Sequence, residues 1–206
     1  CMRTLEEIYK SVFREEIPED AYEQVVSKCL FSYPFFAEHV LNMGQPSKLG
    51  EFHKEDLRNI NYRNILIEWP RGHLKSTLWT VGYIVWRMWK EVDKNIGVTS
   101  AAMNQSLEKL EFIKRAISEN EFLVHLVPEG RSDTWKGEQL NTTNGNRCKA
   151  LTFADTSLGN HLDYLVLDDI MVDTNMTHTQ IKDTFWTVFF PMTQTRRGQI
   201  LMVGIE

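Results

Sequence analysis

Residues 65–77 read Ile65-Leu66-Ile67-Glu68-Trp69-Pro70-Arg71-Gly72-His73-Leu74-Lys75-Ser76-Thr77. A short apolar run breaks into a Pro/Gly turn, the turn closes on Lys-Ser-Thr, and residues 76–90 then carry apolar side chains at helical spacing. Strand, loop, Lys-Ser and helix in that order build a phosphate-binding loop, in which backbone N–H groups and a helix N-terminus supply partial positive charge and a lysine supplies a full one. The common form is Gly-x-x-x-x-Gly-Lys-[Ser/Thr]. Here Leu74 precedes Lys75, and Gly72 is the loop's one glycine. Glycine before the lysine avoids steric trouble where backbone approaches ligand. The alternative is a plain turn at Gly72 with Lys75 as a solvated cation.

On the first reading the bound group is a nucleoside triphosphate with Mg²⁺. Lys75 reaches the β- and γ-phosphates, and the Ser76 hydroxyl ligates the metal. Thr77 supports the first helical turn, Arg71 adds a second cation near the γ-phosphate, and Pro70 fixes the exit from the strand.

A second element lies downstream. Tyr164-Leu165-Val166-Leu167-Asp168-Asp169 is an apolar strand ending in two adjacent carboxylates. Delivering acids from a buried strand is costly unless a cation meets them. In ATP hydrolysis by such a site the first acid serves the Mg²⁺ and the second polarises the attacking water, which assigns Asp168 to the metal and Asp169 to the water. The alternative is that the pair caps the next helix or turn. Loop and acids occur in the right order with a strand–helix pair between them, and together they favour nucleotide hydrolysis.

Around these elements, the pattern predicts helices over 4–16 and 19–43, the second kinked at Pro34. Phe31, Tyr33, Phe35, Phe36, Val40 and Leu41 form its docking face. A Gly/Pro/Ser-rich loop over 44–51 and helical spacing over 52–60 follow. Strands over 64–68, 95–99, 150–153, 164–167 and 199–203 alternate with helices over 76–90, 101–118 and 177–190, and the polar stretch 128–148 is a hairpin or loop. Strands apolar on both faces, alternating with helices, imply an α/β fold with a mostly parallel sheet covered on two sides. The expected division is an N-terminal helical appendage or lid over 1–50 and a core over 51–206.

The chain has 206 residues, 42% hydrophobic and 25% charged, which suits one such domain with a small appendage. No apolar stretch is long enough to span a bilayer, and no signal-peptide pattern opens the chain, so no membrane is expected. Cys1, Cys29 and Cys148 are too few and scattered for a disulfide framework or zinc site, which favours a reducing compartment. A net charge of −5 excludes a polybasic nucleic-acid binder, so DNA contact has to come from a local patch, neighbouring subunits or further segments. The opening Cys1-Met2 and the stop straight after an apolar run suggest a piece of a longer chain.

With both motifs in hand, residues 52–206 resemble the ATPase domain of the large terminase subunit of tailed bacteriophages. The resemblance rests on Pro70-Arg71-Gly72-His73-Leu74-Lys75-Ser76-Thr77, on the Trp-rich helix after it, and on Val98-Thr99-Ser100-Ala101. It also rests on Gly159-Asn160-His161-Leu162-Asp163 before the acidic strand, and on Asp-Asp where other ATPases have Asp-Glu. It implies a P-loop NTPase of the RecA-like type that hydrolyses ATP with Mg²⁺ to drive double-stranded DNA into a procapsid. A coupling motif falls at Leu201-Met202-Val203-Gly204-Ile205-Glu206, with Ile205 where a hydroxyl is common. The place of the family's adenine-contacting element is held by residues 50–57, with His53 able to stack on or hydrogen-bond the base; the alternative is a surface or packing histidine.

The family works as a homo-oligomeric ring in which an arginine completes the neighbouring subunit's site. Arg131 is the first candidate and Arg147 the second, each with a solvated surface arginine as the plainer alternative. Arg196-Arg197-Gly198 is a basic turn toward DNA, or an ordinary loop turn. The implied partners are the portal protein and the small terminase subunit, and the implied setting is the cytoplasm of the infected host, transiently on the procapsid portal. The family's C-terminal nuclease is expected to be absent from this chain. Two other readings stay open: a different P-loop motor such as a helicase, and a non-catalytic nucleotide-binding module in which Leu74 has spoiled the loop.

Overall fold

A computed structural model describes residues 4–13, 16–42, 49–130, 135, 137–153, 161–171 and 176–204. Its centre is a sheet with spatial order β1-β6-β5-β2-β4-β3. The strands are β1 (Asn64–Ile67), β2 (Asn95–Ser100), β3 (Gln139–Asn141), β4 (Arg147–Thr152), β5 (Tyr164–Asp168) and β6 (Gln199–Val203). All pairings are parallel except β3 on β4, a hairpin at the sheet edge made from part of the polar stretch. This is the α/β, RecA-like arrangement expected, with β6 lying between the phosphate-loop strand β1 and the acidic strand β5.

Period-two alternation explains why the sheet is covered twice. Val166, Leu201 and Val203 face one apolar cluster, while Leu165, Leu167 and Ile200 face another. The first cluster holds α5 (Tyr83–Lys90), α6 (Met103–Ser118) and the N-terminal helices α1 (Leu5–Val12) and α2 (Ala21–Phe31). Trp79 and Trp86 lie fully buried in it beside Tyr33 and Phe36, so residues before 50 share a core with those after it. The second cluster packs α7 (His178–Thr184), a π-helical stretch over Phe185–Phe189 and α8 (Phe190–Gln194) onto the other face.

The predicted 19–43 helix is divided, and its last part, Phe36–Val40, is π-helical. It breaks at Ser32, whose side chain accepts from the Phe35 backbone N–H and starts the short helix α3 (Tyr33–Phe35). Pro34 thus sits in a first turn, where its missing N–H costs nothing. Because α2 ends there, Phe31 falls off the expected docking face and is 86% exposed, while Tyr33, Phe36 and Val40 are buried. Helix α4 (Glu51–Leu57) leads into β1. The helix after the phosphate loop begins as a π-helical stretch, Ser76–Gly82, before continuing as α5.

Candidate active site

Parallel strands deliver their C-terminal ends to one edge of the sheet, where α/β folds bind ligands. Ile67 and Asp168 both pair with Val203, one on each side, so the ends of β1, β6 and β5 lie level. The phosphate loop leaves β1 at this edge and folds over β6 toward β5. Ser76 Oγ donates to Asp168 Oδ1 at 3.0 Å, which brings the two sequence-distant motifs into one site.

The loop's shape explains its irregular sequence. Gly72 (φ 82°) and Leu74 (φ 60°) both adopt the left-handed region. Glycine does so freely, whereas a leucine there carries strain of about 1–2 kcal/mol. The Leu74 side chain is half-buried and packs on the main core, so it anchors the loop while its backbone makes the turn that glycine makes elsewhere. Lys75 Nζ, largely buried, donates to the Trp69 carbonyl at 3.3 Å and lies 4.0 Å from Asp169 Oδ1. Arg71, Gly72, Leu74, Lys75, Ser76, Thr77 and Asp169 line one cavity of about 510 Å³. Arg71 and Thr77 of this lining are exposed, as is His73, whose Nδ1 sits 3.2 Å from the Arg71 carbonyl.

The two acids differ in environment. Asp168 is completely buried, and its Oδ2 has no hydrogen-bond donor among the described residues. The Lys109 ammonium lies 3.4 Å from that oxygen, an ion pair without hydrogen-bond geometry. Asp169 is more open and has a left-handed backbone (φ 53°), its N–H donating to the Val203 carbonyl at 2.9 Å. Burial and the neighbouring Asp168 charge push its pKa up, while Lys75, Lys109 and Arg71 pull against them. A carboxylate raised in this way is a better proton acceptor.

Gly204, just past β6, lies between these groups with φ 85°, and its N–H donates to the Ile67 carbonyl at 3.2 Å. A Cβ there would overlap Asp169 Oδ1 and come within 3.3 Å of Lys75 Cε. The bare glycine is what allows lysine and aspartate to meet over the end of β6. The next residue of the expected coupling motif, Ile205, lies outside the described residues, as do Arg131 and the Gly159-Asn160 lead-in.

His53 is buried beside the loop. Its Nδ1 accepts from the Gly50 N–H at 3.0 Å, and its ring packs on Phe52 and edge-on to Trp69. Burial pushes its pKa down. Phe52, 45% exposed and packed against both His53 and His73, presents the more accessible aromatic surface. Arg147 opens β4 and is exposed at the opposite edge of the sheet, while Arg196 pairs with Asp163 at 3.1 Å. Lys109 was missed in the sequence, where it is one more charged residue on a mixed-charge helix.

The residues fit a Mg²⁺-bound triphosphate. A buried carboxylate oxygen lacks a donor, a hydroxyl bonds the other oxygen of the same group, and Lys75 and Arg71 line the adjoining cavity. Among the described residues no group of three or more His, Cys, Asp or Glu forms a self-sufficient metal site, so the phosphates would complete the coordination. No helix of the described residues is long and apolar enough to cross a membrane.

No family model matches the chain. It is 22% identical over 161 residues to the large terminase subunit of Enterobacteria phage T3, covering 76% of this chain and 27% of that protein. Its fold is similar to the crystal structure of the HK97 bacteriophage large terminase, with TM-score 0.56, 14% identity, and coverage of 87% of this chain and 36% of that one. It is also similar to the large terminase ATPase domain of Thermus phage P74-26, with TM-score 0.52, 11% identity, and coverage of 69% of this chain and 59% of that one. The chain thus spans about a quarter of the length of the T3 protein, and its likeness in sequence and in fold is to large terminase subunits of bacteriophages.

Proposed function

We propose that this chain is the ATP-hydrolysing part of a phage DNA-packaging motor. The observation that carries the reading is the Ser76–Asp168 hydrogen bond beside Lys75, which supports a metal site next to a phosphate-binding lysine. Lys75 and Arg71 neutralise the β- and γ-phosphates, and the loop N–H groups orient them. Ser76 and Asp168 would hold Mg²⁺, which when bound would supply charge to offset that on the phosphate oxygens. Asp169 orients a water for in-line attack on the γ-phosphorus. The new P–O bond forms as the bond to the ADP oxygen breaks, and the water's proton passes to Asp169 or to a phosphate oxygen.

The adenine lies toward Phe52 and His53, whose aromatic surface borders the loop. Gly204 closes β6 against both Lys75 and Asp169, leaving no room for a side chain between them. An arginine from a neighbouring subunit, Arg131 first and Arg147 second, completes the site in a ring. Double-stranded DNA is the load, contacted through phosphates without sequence preference, and the portal protein and small terminase subunit are the partners. The work takes place in the host cytoplasm.

The test is phosphate release from ATP by the wild type and by Lys75→Ala, measured with nucleotide binding in the same preparations. The reading predicts that wild type binds Mg²⁺-ATP and turns it over, and that Lys75→Ala does neither. Equal background release by the two, with equal binding, would leave a non-catalytic fold.

A further inference from the structure

Lys109 lies on α6, outside both motifs, yet its ammonium faces the most buried acid of the site. We propose that Lys109 is a resident counter-ion for Asp168, holding that carboxylate in the metal-free site and yielding to the divalent cation that arrives with the nucleotide. The inference rests on the nucleotide reading above and adds a positioning residue to it.

Asp168 has no exposed surface, and an ionised carboxylate in that position demands a compensating charge. Ser76 satisfies Oδ1, which leaves Oδ2 with no hydrogen-bond donor among the described residues. The Lys109 amine stands 3.4 Å from it, near enough to neutralise and too poorly aligned to form a strong hydrogen bond. That is the geometry of a placeholder. A divalent ion beside Ser76 and Asp168 would draw on the same oxygen through its hydration shell, and its charge would repel the ammonium there. Lys109 also has a way out. Its side chain is 20% exposed, and its flexible stem lets the ammonium withdraw without moving α6. Lys75 cannot play this part, since its amine is held at the Trp69 carbonyl and lies nearer Asp169.

The test measures Mn²⁺ affinity at saturating ADP, reading free Mn²⁺ by electron paramagnetic resonance, for wild type, Lys109→Met, Lys109→Gln, Lys109→Arg and Asp168→Asn. Removing the competing charge should tighten Mn²⁺ binding by roughly tenfold in Lys109→Met and in Lys109→Gln, and Lys109→Arg should stay near wild type. On the Asp168→Asn background the Lys109→Met change should have almost no effect on Mn²⁺. In EDTA without nucleotide, Lys109→Met should melt below wild type, because Asp168 is left without its partner.

Unchanged or weaker Mn²⁺ binding in both neutral variants would overturn the proposal while leaving the nucleotide site standing. Failure of the wild type to bind Mn²⁺ with ADP would remove the nucleotide reading itself, and would reduce the Lys109–Asp168 pair to a structural one.

Discussion

The Ser76 hydroxyl donates to Asp168 Oδ1 although 92 positions separate them in the chain. That bond ties the first turn of the helix after the phosphate loop to the end of β5, and the lysine preceding it and the aspartate following it then face each other at 4.0 Å. The buried acid faces the hydroxyl and the more open one faces Lys75, which supports the different work proposed for the two.

Asp169→Asn should therefore keep Mg²⁺-dependent ATP binding within about twofold while lowering turnover by about 10²–10⁴, since it removes the water-orienting charge and spares the metal position. Asp168→Ala should lose the metal-dependent part of binding. Calorimetric titration with and without Mg²⁺, beside phosphate release, separates the two. Equal loss of binding in both variants would contradict the division.

Gly204→Ala tests the close approach over β6. The added Cβ meets Asp169 at a backbone angle unfavourable for alanine, so either the carboxylate or the strand end must shift. We expect turnover to fall more than tenfold and stability to drop by about 1–3 kcal/mol, read by phosphate release and by urea unfolding. An alanine variant with normal turnover would remove Gly204 from the site's geometry.

Leu74 should separate strain from anchoring. Leu74→Gly relieves the left-handed backbone but loses the packing contact; Leu74→Ala loses the contact and keeps most of the strain. Leu74→Ala should accordingly be the less stable by about 1 kcal/mol in chemical denaturation. The reverse order would mean that the loop does not hold this shape in solution.

Much of this was legible in the sequence, for identifiable reasons. Pro70, Gly72 and Lys75-Ser76 punctuate the end of an apolar run, and the run Tyr164–Leu167 ends in acids, so both motifs announce their strands. The mostly parallel sheet follows from apolar strands alternating with helices, whereas the strand order, with β6 between β1 and β5, depends on how the crossovers pack and was not legible. Lys109 was not legible, because its meaning depends on which turn of α6 lies over the end of β5. The role of Leu74 was half legible: its departure from glycine was plain, but its side chain's contact with the core is a matter of packing. The break at Ser32 was placed two residues late, since Pro34 marks the first turn of a new helix rather than the fault in an old one. The π-helical stretches have no side-chain signature and could not be read at all.

Away from the site, Arg87 is the charge on which the opposite edge of the sheet depends. It pairs with Glu91 at 2.8 Å, donates to Gln199 at 3.1 Å, and lies over the Tyr83, Trp86 and Tyr164 rings. Arg87→Ala leaves Glu91 and Gln199 without this partner and opens a gap between aromatic rings, so unfolding should be easier by about 3–5 kcal/mol. Thermal and urea unfolding check this, and a loss below 1 kcal/mol would show that the network is dispensable.

The most direct test of the account is a crystal structure with a non-hydrolysable ATP analogue and Mn²⁺, located by its anomalous signal. The account predicts the ion about 2.2 Å from Ser76 Oγ, with Asp168 in its coordination or hydration shell and the Lys75 amine on the terminal phosphates. An ion that avoids Ser76 and Asp168, or a triphosphate bound away from Lys75, would contradict it.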